Sequence, residues 1–407
     1  MQRFHTIHEA QSFVSEVVDQ PVATSTETVR PGITLNKSAV DMGNGRFTNV
    51  YDLAFNGQDV NAEIVAFDNL TSIHDFLADS DPRQYAVATG GGFFYLADRA
   101  SGSPRQLALN LSISRGNLRS LPVCDRESVM SGDNGLEVRP LVALGAISLN
   151  GYDLEWSGSL TDYDTELKVY GNGNAVINHH MDAITGNNRI LDEASRYTPT
   201  IEHDDYMDVG FIGRGGNDFI GVGGSATGGV DIFAHDFVLR CPQRYIEGIS
   251  EMKIHTIGGI ALSRFEGGAF SAGPALNIAD FHNHPVNRDA SLGNRPPFFE
   301  TPLARTALYK DENGLTHIRL FDGRPGSPSF PGVTPSEAVS SILSDGEIEW
   351  GCFLDPGQTA KLCVNNEIED HTESYGNRHY MQWPSETNPD FLWIPDTGRP
   401  VANVIAI

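Results

Sequence analysis

The sequence predicts an α+β fold: a mixed β-sheet core with a few covering helices and a long loop-rich insertion. Three observations support this prediction. Short apolar strand patterns recur along most of the chain, separated by turns rich in glycine and asparagine. Helical periodicity is confined to a few short segments, of which the clearest follows Thr334. Between residues 158 and 229 the regular pattern gives way to an acidic background with repeated glycine-rich turns.

The composition is that of a globular protein that does not bind nucleic acid. The hydrophobic content of 40% allows a substantial core, and the length of 407 residues permits two domains or one large domain with insertions. The formal net charge of -25 would repel nucleic-acid phosphates, and no basic patch offsets it. No apolar run is long enough to span a bilayer, and residues 1–18 lack the layout of a signal peptide. We therefore expect a cytoplasmic protein with no membrane partner; the sequence does not indicate an oligomeric state.

The four cysteines do not indicate a metal or redox motif. No two of them form a CxxC pair, which leaves zinc binding unsupported and favours reduced thiols. Cys352 and Cys363 would be neighbours only if the two strands that carry them paired with each other.

The chain is expected to divide into a lead-in and one domain. Residues 1–30 contain a short amphipathic helix, and polar lead-in texture continues to residue 45. Residues 31–407 are expected to form a single domain, with the insertion near 158–229. No internal repeat or low-complexity linker divides this part of the chain.

The first part of the domain is predicted to consist mainly of strands. Strand patterns at Phe47–Phe55 and Asn61–Phe67 precede a short helix at Ser72–Leu77. An apolar strand, Tyr85–Ala88, then runs directly into a glycine turn. The residues of this turn that we expect to contact a substrate are Thr89, Gly90, Gly91, Gly92 and Phe93. Consecutive glycines let the backbone approach a ligand closely or make a tight turn, and the local residues alone favour the plain turn.

The last hundred residues carry the strongest local signals. Asp311–Gly314 has the composition of a turn between two strand patterns, which predicts a hairpin. Thr334, with Pro335 next and Glu337 three residues on, forms a capping-box pattern and predicts the start of a helix. A strand at Glu347–Leu354 follows, and after a polar turn that begins at Asp355 a further strand is predicted at Lys361–Val364.

Five separate segments resemble a known family. They are Thr89–Phe94, Arg305–Leu308, Asp322–Arg324, Phe353–Thr359 and Arg399–Ile407. In order and spacing they are similar to the phosphodiester glycosidase domain family. That family shows Asn-Gly-Gly-(Phe/Tyr)-Phe after an apolar strand, then an Arg-Thr-Ala strand, an Asp-Gly-Arg turn, a capped helix and Leu-Asp-Gly-Gly-Gly-Ser. Two positions differ from this pattern: Thr89 replaces asparagine, and Pro356–Thr359 replaces Gly-Gly-Gly-Ser.

The resemblance implies a hydrolase that cleaves a glycosyl–phosphate bond in a small-molecule substrate and needs no cofactor. Such chemistry passes through an oxocarbenium-like transition state that requires a carboxylate, and the departing phosphate requires a cation. Arg305 is the expected phosphate ligand, and Asp355 is the expected carboxylate. Gly357 is expected to offer its backbone N–H, and Thr359 the hydroxyl of the usual serine. The alternatives are a turn-capping role for Asp355 and a structural salt bridge for Arg305.

A second polar group precedes Arg305. Asp280, His282 and His284 would share one face of a strand and offer a divalent metal three ligands. Alternatively, His282 and His284 are hydrogen-bonded loop residues, or act on the substrate, with His284 as a general acid or base. Glu300 is a second candidate for the catalytic carboxylate because it lies close to Arg305 in sequence.

Two other functional classes remain open at this point. The chain is alternatively a non-catalytic sugar-phosphate or glycan-binding protein that kept the fold, because both departures from the family pattern fall in the expected site. A structural or assembly protein that uses the domain as an interaction module is the third interpretation.

Overall fold

The structure is a computed structural model. It describes residues 2–94, 108, 111–120, 126–133, 135–141, 144–149, 152–157, 167–170, 206–215, 218–225, 235–243, 251–254, 256–257, 260–276, 301–324, 326–366, 371–376, 381–382, 389–393 and 398–407. Within these ranges the protein is mainly β, with several sheets and few helices. The helices are α1 (Ile7–Val18), α2 (Ile73–Asp79) and α3 (Pro335–Asp345). No helix in the described ranges is long and apolar enough to cross a membrane.

In chain order, the first strands are β1 (Gln2–Phe4), β2 (Ser25–Arg30), β3 (Ile33–Gly43), β4 (Arg46–Asn56), β5 (Glu63–Thr71), β6 (Val87–Gly90), β7 (Ser112–Ser114), β8 (Asn117–Ser120), β9 (Arg126–Gly132) and β10 (Gly135–Leu141). They are followed by β11 (Leu144–Leu149), β12 (Tyr152–Ser157), β13 (Leu167–Tyr170), β14 (Tyr206–Gly215), β15 (Asp218–Ser225), β16 (Phe237–Pro242), β17 (Glu251–Lys253), β18 (Thr256–Ile257), β19 (Ile260–Ala261) and β20 (Ala269–Ser271). The last are β21 (Arg305–Asp311), β22 (Leu315–Phe321), β23 (Ile348–Phe353), β24 (Lys361–Asn366), β25 (His371–Gly376), β26 (Met381–Gln382), β27 (Phe391–Trp393) and β28 (Val401–Ala406).

Two sheets position the candidate site. In the described residues the first sheet has the order β2-β3-β4-β22-β21-β23, and the second has the order β25-β24-β6-β28-β5. Every strand pair recorded in these two sheets is antiparallel. The predicted mixed sheet is therefore wrong for this core. Consecutive strands such as β3 and β4, or β21 and β22, are joined by short turns that reverse the chain, as antiparallel pairing allows.

The main core lies between the first and second sheets. Alternate residues of each strand point into it, such as Leu308 and Leu320 from the first sheet and Val87, Leu362 and Ile405 from the second. These side chains are almost completely buried. The opposite face of the first sheet is covered by helix α3.

Helix α3 begins as the sequence predicts. The Thr334 side chain accepts a hydrogen bond from the Glu337 backbone, the Glu337 side chain accepts one from the Thr334 backbone, and Pro335 occupies the first turn. Ala338 and Ile342 pack against the first sheet on its outer face. The capping box thereby fixes the segment just before the helix against the start of β21, where Val333 and Leu303 exchange backbone hydrogen bonds.

The other local predictions have mixed outcomes. The hairpin around Asp311–Gly314 is confirmed as β21 and β22. The polar segment 22–45 is not a lead-in, since β2 and β3 from this segment belong to the first sheet. Parts of the expected loop-rich insertion, β13 to β15, pair in a seven-stranded sheet of the described residues, with the order β11-β12-β13-β16-β14-β15-β17. Cys352 and Cys363 lie in different sheets and are both free and buried, so their strands do not pair.

Candidate functional site

Three segments that are far apart in sequence meet at the ends of β6, β21 and β23. The backbone N–H of Asp355 donates to Gly91 O at 3.0 Å, and the N–H of Gly357 donates to Ala304 O at 2.8 Å. The polar turn after β23 therefore connects the glycine turn to the residue that precedes Arg305. These three segments contain or adjoin three of the five that carry the family resemblance.

The pairing of β21 with β23 brings the polar turn to the start of β21. Ala307 pairs with Phe353 across the two strands, and Leu354 N donates to Thr306 O at 2.9 Å. The recorded strand pairing ends there, and Asp355 lies in the bend that follows β23. Arg305 is the first residue of β21, so both residues lie at the same end of this strand pair.

Arg305 lies buried beside the N-terminus of α3. Its side chain is only 3% exposed, and its Nε and Nη2 atoms donate to Val333 O at 2.8 Å and Thr301 O at 2.9 Å. The guanidinium carbon lies 5.9 Å from the centre of the Phe353 ring. Burial lowers the pKa of Arg305 to about 9, although the nearby Glu337 carboxylate partly offsets this effect. The guanidinium is still charged at neutral pH, and its dry surroundings would strengthen its attraction for an anion.

The amide groups of the glycine turn are already used inside the protein. Gly91 N donates to Asn403 O at 3.1 Å, and Gly92 N donates to the Asn403 side-chain oxygen at 2.9 Å. The N–H of Gly357 is likewise taken by Ala304 O. The expectation that these amides receive a phosphate therefore does not fit this geometry.

The glycines are needed instead because other groups approach them closely. A Cβ atom added to Gly91 would lie 2.0 Å from the Asn403 side-chain oxygen, and one added to Gly92 would lie 2.3 Å from Ser271 O. A Cβ atom on Gly90 would be 3.0 Å from Thr359 O. These separations favour a plain structural role for the turn. Phe93, the next residue, is half-buried.

The two hydroxyl groups expected at the site bind protein carbonyls. Thr89 Oγ1 donates to Lys361 O at 2.8 Å, which links β6 to β24. Thr359 Oγ1 lies 3.0 Å from both Asp355 O and Pro356 O and closes the polar turn. Both threonines are almost completely buried. Their hydroxyls thus stabilise the segments around the site, and the serine-like role expected for Thr359 does not fit these contacts.

Sequence reasoning missed Asn403, which lies beside the glycine turn on β28. The residue is 1% exposed, and its Nδ2 atom has no hydrogen-bond partner among the residues that the structure describes. Thr306 Oγ1, on β21, is equally buried and also has none in the same ranges. The only sequence signal for Asn403 was its polarity within an otherwise apolar final strand, 401–407.

Glu127, on β9, is a second residue that the sequence did not reveal. Its backbone carbonyl accepts a hydrogen bond from Ala272 N at 2.7 Å, and the adjacent Gly273 N donates to Phe353 O at 2.7 Å. The backbone of Glu127 is therefore linked through Ala272 and Gly273 to Phe353, the last residue of β23. Burial raises the pKa of Glu127 from its ordinary value of 4.5 to about 7. A carboxyl group with this pKa exchanges a proton near neutral pH, which is a property of general acids.

Some predicted site residues lie outside the described residues. They are Asp280, His282, His284 and Glu300. The metal site and the second carboxylate predicted there stay predictions. Within the described ranges, no group of three or more His, Cys, Asp and Glu side chains is arranged to hold a metal ion.

Comparison with known proteins supports the fold alone. No family model matches the chain, and no curated protein matches its sequence. The chain is similar to a crystal structure of a hypothetical protein from Synechocystis, with a TM-score of 0.56 and 16% identity over 95% of this chain. The match covers 63% of the Synechocystis chain, so this chain spans less than two thirds of that protein. This similarity shows a shared fold.

Two further solved structures match less closely. One is a candidate exported protein from Burkholderia pseudomallei K96243, with a TM-score of 0.48 and 13% identity over 100% of this chain and 90% of that one. The other is the catalytic domain of zebrafish N-acetylglucosamine-1-phosphodiester alpha-N-acetylglucosaminidase, auto-inhibited by its pro-peptide. It matches with a TM-score of 0.43 and 12% identity over 95% of this chain and 87% of that one. Both TM-scores are too low to support a conclusion about this chain.

Proposed function

We propose that this protein is a hydrolase that cleaves the glycosyl–phosphate bond of a sugar 1-phosphodiester, in an intracellular sugar-phosphate or natural-product intermediate. The observation that supports it is the meeting of three of the five resemblance segments, in which Gly91 O accepts from the Asp355 backbone and Gly357 N donates to Ala304, the residue before Arg305. Segments that are up to 266 residues apart, from Gly91 to Gly357, are brought together at one end of the core. A function located there accounts for all of them.

The proposed reaction divides its tasks between two residues. Arg305 neutralises the phosphate, which departs with the electrons of the bond to the anomeric carbon. Asp355 stabilises the positive charge that develops at that carbon, or activates the water that attacks it. The water oxygen ends on the sugar, and the phosphate leaves as a monoester. This chemistry requires no cofactor.

Non-catalytic binding of a sugar phosphate is the second candidate function. It is favoured by a specific observation: the hydroxyl of Thr359 and the amides of Gly91, Gly92 and Gly357 all bind protein groups. A site whose preorganised donors are already occupied has fewer groups with which to stabilise a transition state.

A panel of sugar 1-phosphodiesters tests the proposal. The full chain is incubated with methyl diesters of α-glucose, α-galactose and α-N-acetylglucosamine 1-phosphate, and release of free sugar is measured beside thermal melting. A hydrolase releases sugar and melts at a higher temperature in the presence of a diester. A higher melting temperature without release supports the binding protein. No release and no stabilisation by any diester contradict both candidates and favour an interaction module.

A further inference from the structure

A cleft lies between the turn that joins β21 to β22 and the C-terminal end of α3. Glu312 in the turn and Glu347 after the helix both line it, and Glu312 N donates to Glu347 O at 3.1 Å. Both glutamates are exposed, so the cleft opens to solvent. Its volume is about 60 Å³. It is separate from the candidate site, because Arg305 binds Val333 O just before the other end of α3.

Arg319, on β22, brings a buried and unpaired hydrogen-bond donor to this cleft. The residue is 7% exposed, and its Nη1 and Nη2 atoms donate to Asp345 Oδ2 at 2.6 Å and to Asp52 Oδ2 at 2.8 Å. Its Nε atom has no hydrogen-bond partner among the residues that the structure describes. Buried polar groups are almost always paired, because an unpaired donor has lost its contacts with water without compensation. The Nε–H group therefore favours an acceptor supplied from the cleft.

His317, which also lines the cleft, brings an unpaired acceptor. Although burial alone would raise it, hydrogen bonds from His317 and Arg319 hold the pKa of Asp52 below its ordinary value of 3.8. The ionised carboxylate can only accept, and His317 Nδ1 lies 3.2 and 3.3 Å from its two oxygens. In the neutral ring Nδ1 thus carries the proton and Nε2 is an acceptor. Nε2 has no hydrogen-bond partner in the described ranges, and Asp311 Oδ2, at 3.5 Å, is a second acceptor.

The charges around the cleft decide which class of ligand suits it. Four carboxylates line it: Asp311, Glu312, Asp345 and Glu347. They repel an anion, and the charge of Arg319 is already matched by Asp52 and Asp345. A cation suits the carboxylates but has no lone pair for the Arg319 Nε–H group. A hydroxyl group both donates and accepts, so it satisfies the unpaired donor and the unpaired acceptor alike.

We infer that this cleft binds two neighbouring hydroxyl groups of a sugar. Its volume is that of roughly four water molecules, which is enough for two hydroxyls on one edge of a sugar ring. Such hydroxyls reproduce the hydrogen bonds of the water that they displace. The remainder of the ring lies towards the solvent, between Glu312 and Glu347. The inference does not rest on the proposed function, because the cleft shares no residue with that site.

Nuclear magnetic resonance on the wild-type full chain tests the contact. The Nε–H signal of Arg319 is assigned by its loss in Arg319→Lys. If that variant does not fold, it is assigned by contacts with the Tyr309 ring, whose centre lies 5.5 Å from the guanidinium carbon. Methyl α-glucoside, methyl α-galactoside and methyl α-mannoside are titrated separately, and we expect at least one of them to shift this signal. 2-Methoxytetrahydropyran, which has the ring without hydroxyls, should leave it in place, as should n-butylammonium and acetate.

Asp311→Asn provides a second measurement. The new side chain still accepts the turn bond from Leu315 N, which measures 2.8 Å in the wild type. Its amide donates to His317 Nε2 and so occupies the acceptor that the sugar would use. The dissociation constant for the shifting glycoside should therefore increase at least about tenfold. Asp81→Asn is the matched control, because Asp81 also accepts a backbone N–H in an exposed turn, and its affinity should equal that of the wild type.

The outcomes separate this inference from the proposed hydrolysis. A glycoside that shifts the Arg319 signal and binds Asp311→Asn more weakly supports the sugar site, whether or not any diester is hydrolysed. A signal that no glycoside moves shows that the cleft holds water only and overturns the inference. A signal that moves with n-butylammonium and with none of the glycosides shows a cation site and overturns it as well. Wild-type affinity in a folded Asp311→Asn protein also contradicts it.

Discussion

At the scale of single residues, Arg305 has the geometry that is hardest to replace. Its planar guanidinium makes two directed hydrogen bonds to backbone carbonyls, at Val333 and Thr301. Lysine has the same charge but presents a single ammonium, which cannot reproduce two fixed directions. The residue therefore supports the segment before α3, whatever its role towards a ligand.

We expect Arg305→Lys to weaken binding of a phosphodiester at least about tenfold and to lower the free energy of unfolding by about 1–3 kcal/mol. Isothermal titration and urea denaturation measure the two effects. Arg83→Lys, which alters an exposed arginine paired with Asp81, is the control and should change neither quantity. Unchanged affinity in a folded Arg305→Lys protein would leave Arg305 with a structural role only.

Substitution of Asp355 is expected to affect turnover more than substrate binding. Asparagine preserves its size and removes the negative charge that an oxocarbenium-like centre requires, so Asp355→Asn should lower turnover about 100-fold or more and largely spare substrate binding. Steady-state kinetics and ligand-induced thermal shifts on the purified variant check this. Asp68→Asn, at an exposed carboxylate paired with Arg119, should retain full turnover. Near-wild-type turnover in Asp355→Asn would make Asp355 a turn residue.

Glu127 predicts a pH-dependent change in stability. Its folded-state pKa of about 7 lies above its ordinary value of 4.5, so the folded protein binds the proton more tightly than the unfolded chain. Stability therefore falls as the pH rises from about 4.5 to 7, by up to about 3 kcal/mol. Glutamine stays neutral, so Glu127→Gln should be more stable than the wild type at pH 8 and equally stable at pH 4.5. Urea denaturation at both values measures this; equal stability at pH 8 would contradict the raised pKa.

At the scale of elements, the glycine turn after β6 is a packing device. The N–H groups of Gly91 and Gly92 bind Asn403, and Gly91 O binds the Asp355 backbone. These two glycines thus join β28 to the turn after β23. We therefore expect a substitution in the glycine turn to disturb the packing of both.

We expect Gly91→Ala to lower the free energy of unfolding by about 1–3 kcal/mol, because the new methyl group would lie 2.0 Å from the Asn403 side-chain oxygen. Gly132→Ala is the matched control, since a Cβ atom there meets nothing within 4 Å. Urea denaturation compares the variants. A Gly91→Ala protein as stable as Gly132→Ala would show that Asn403 moves aside freely.

At the scale of the whole molecule, the dominant feature is the net charge of -25. Like charges repel in the compact state, and dissolved salt screens this repulsion over about 10 Å at 0.1 M. We expect the melting temperature to rise by several degrees between about 20 mM and about 500 mM salt. Sodium chloride and potassium chloride should act equally if screening is the cause. A melting temperature that falls with either salt would contradict the prediction.

The sequence predicted those parts of the protein whose hydrogen bonds close within a few residues. The capping box of Thr334 and Glu337 and the turn at Asp311–Gly314 were readable for this reason. The short helix predicted at Ser72–Leu77 is present as α2, with Ser72 as its N-cap. The sequence also indicated which five segments resemble a family, through their residues and their order along the chain.

Tertiary structure decided what the polar groups of those segments bind. Gly92 and Asn403 are 311 residues apart, and no local pattern indicates that one uses the other's oxygen. The polar strand β2 was missed for the same reason, since it is recognisable only through its pairing with β3. The pKa of Glu127 likewise depends on the neighbours that bury it. Local sequence specifies turns and caps because their partners are adjacent, whereas burial and long-range pairing exist only once distant strands have met.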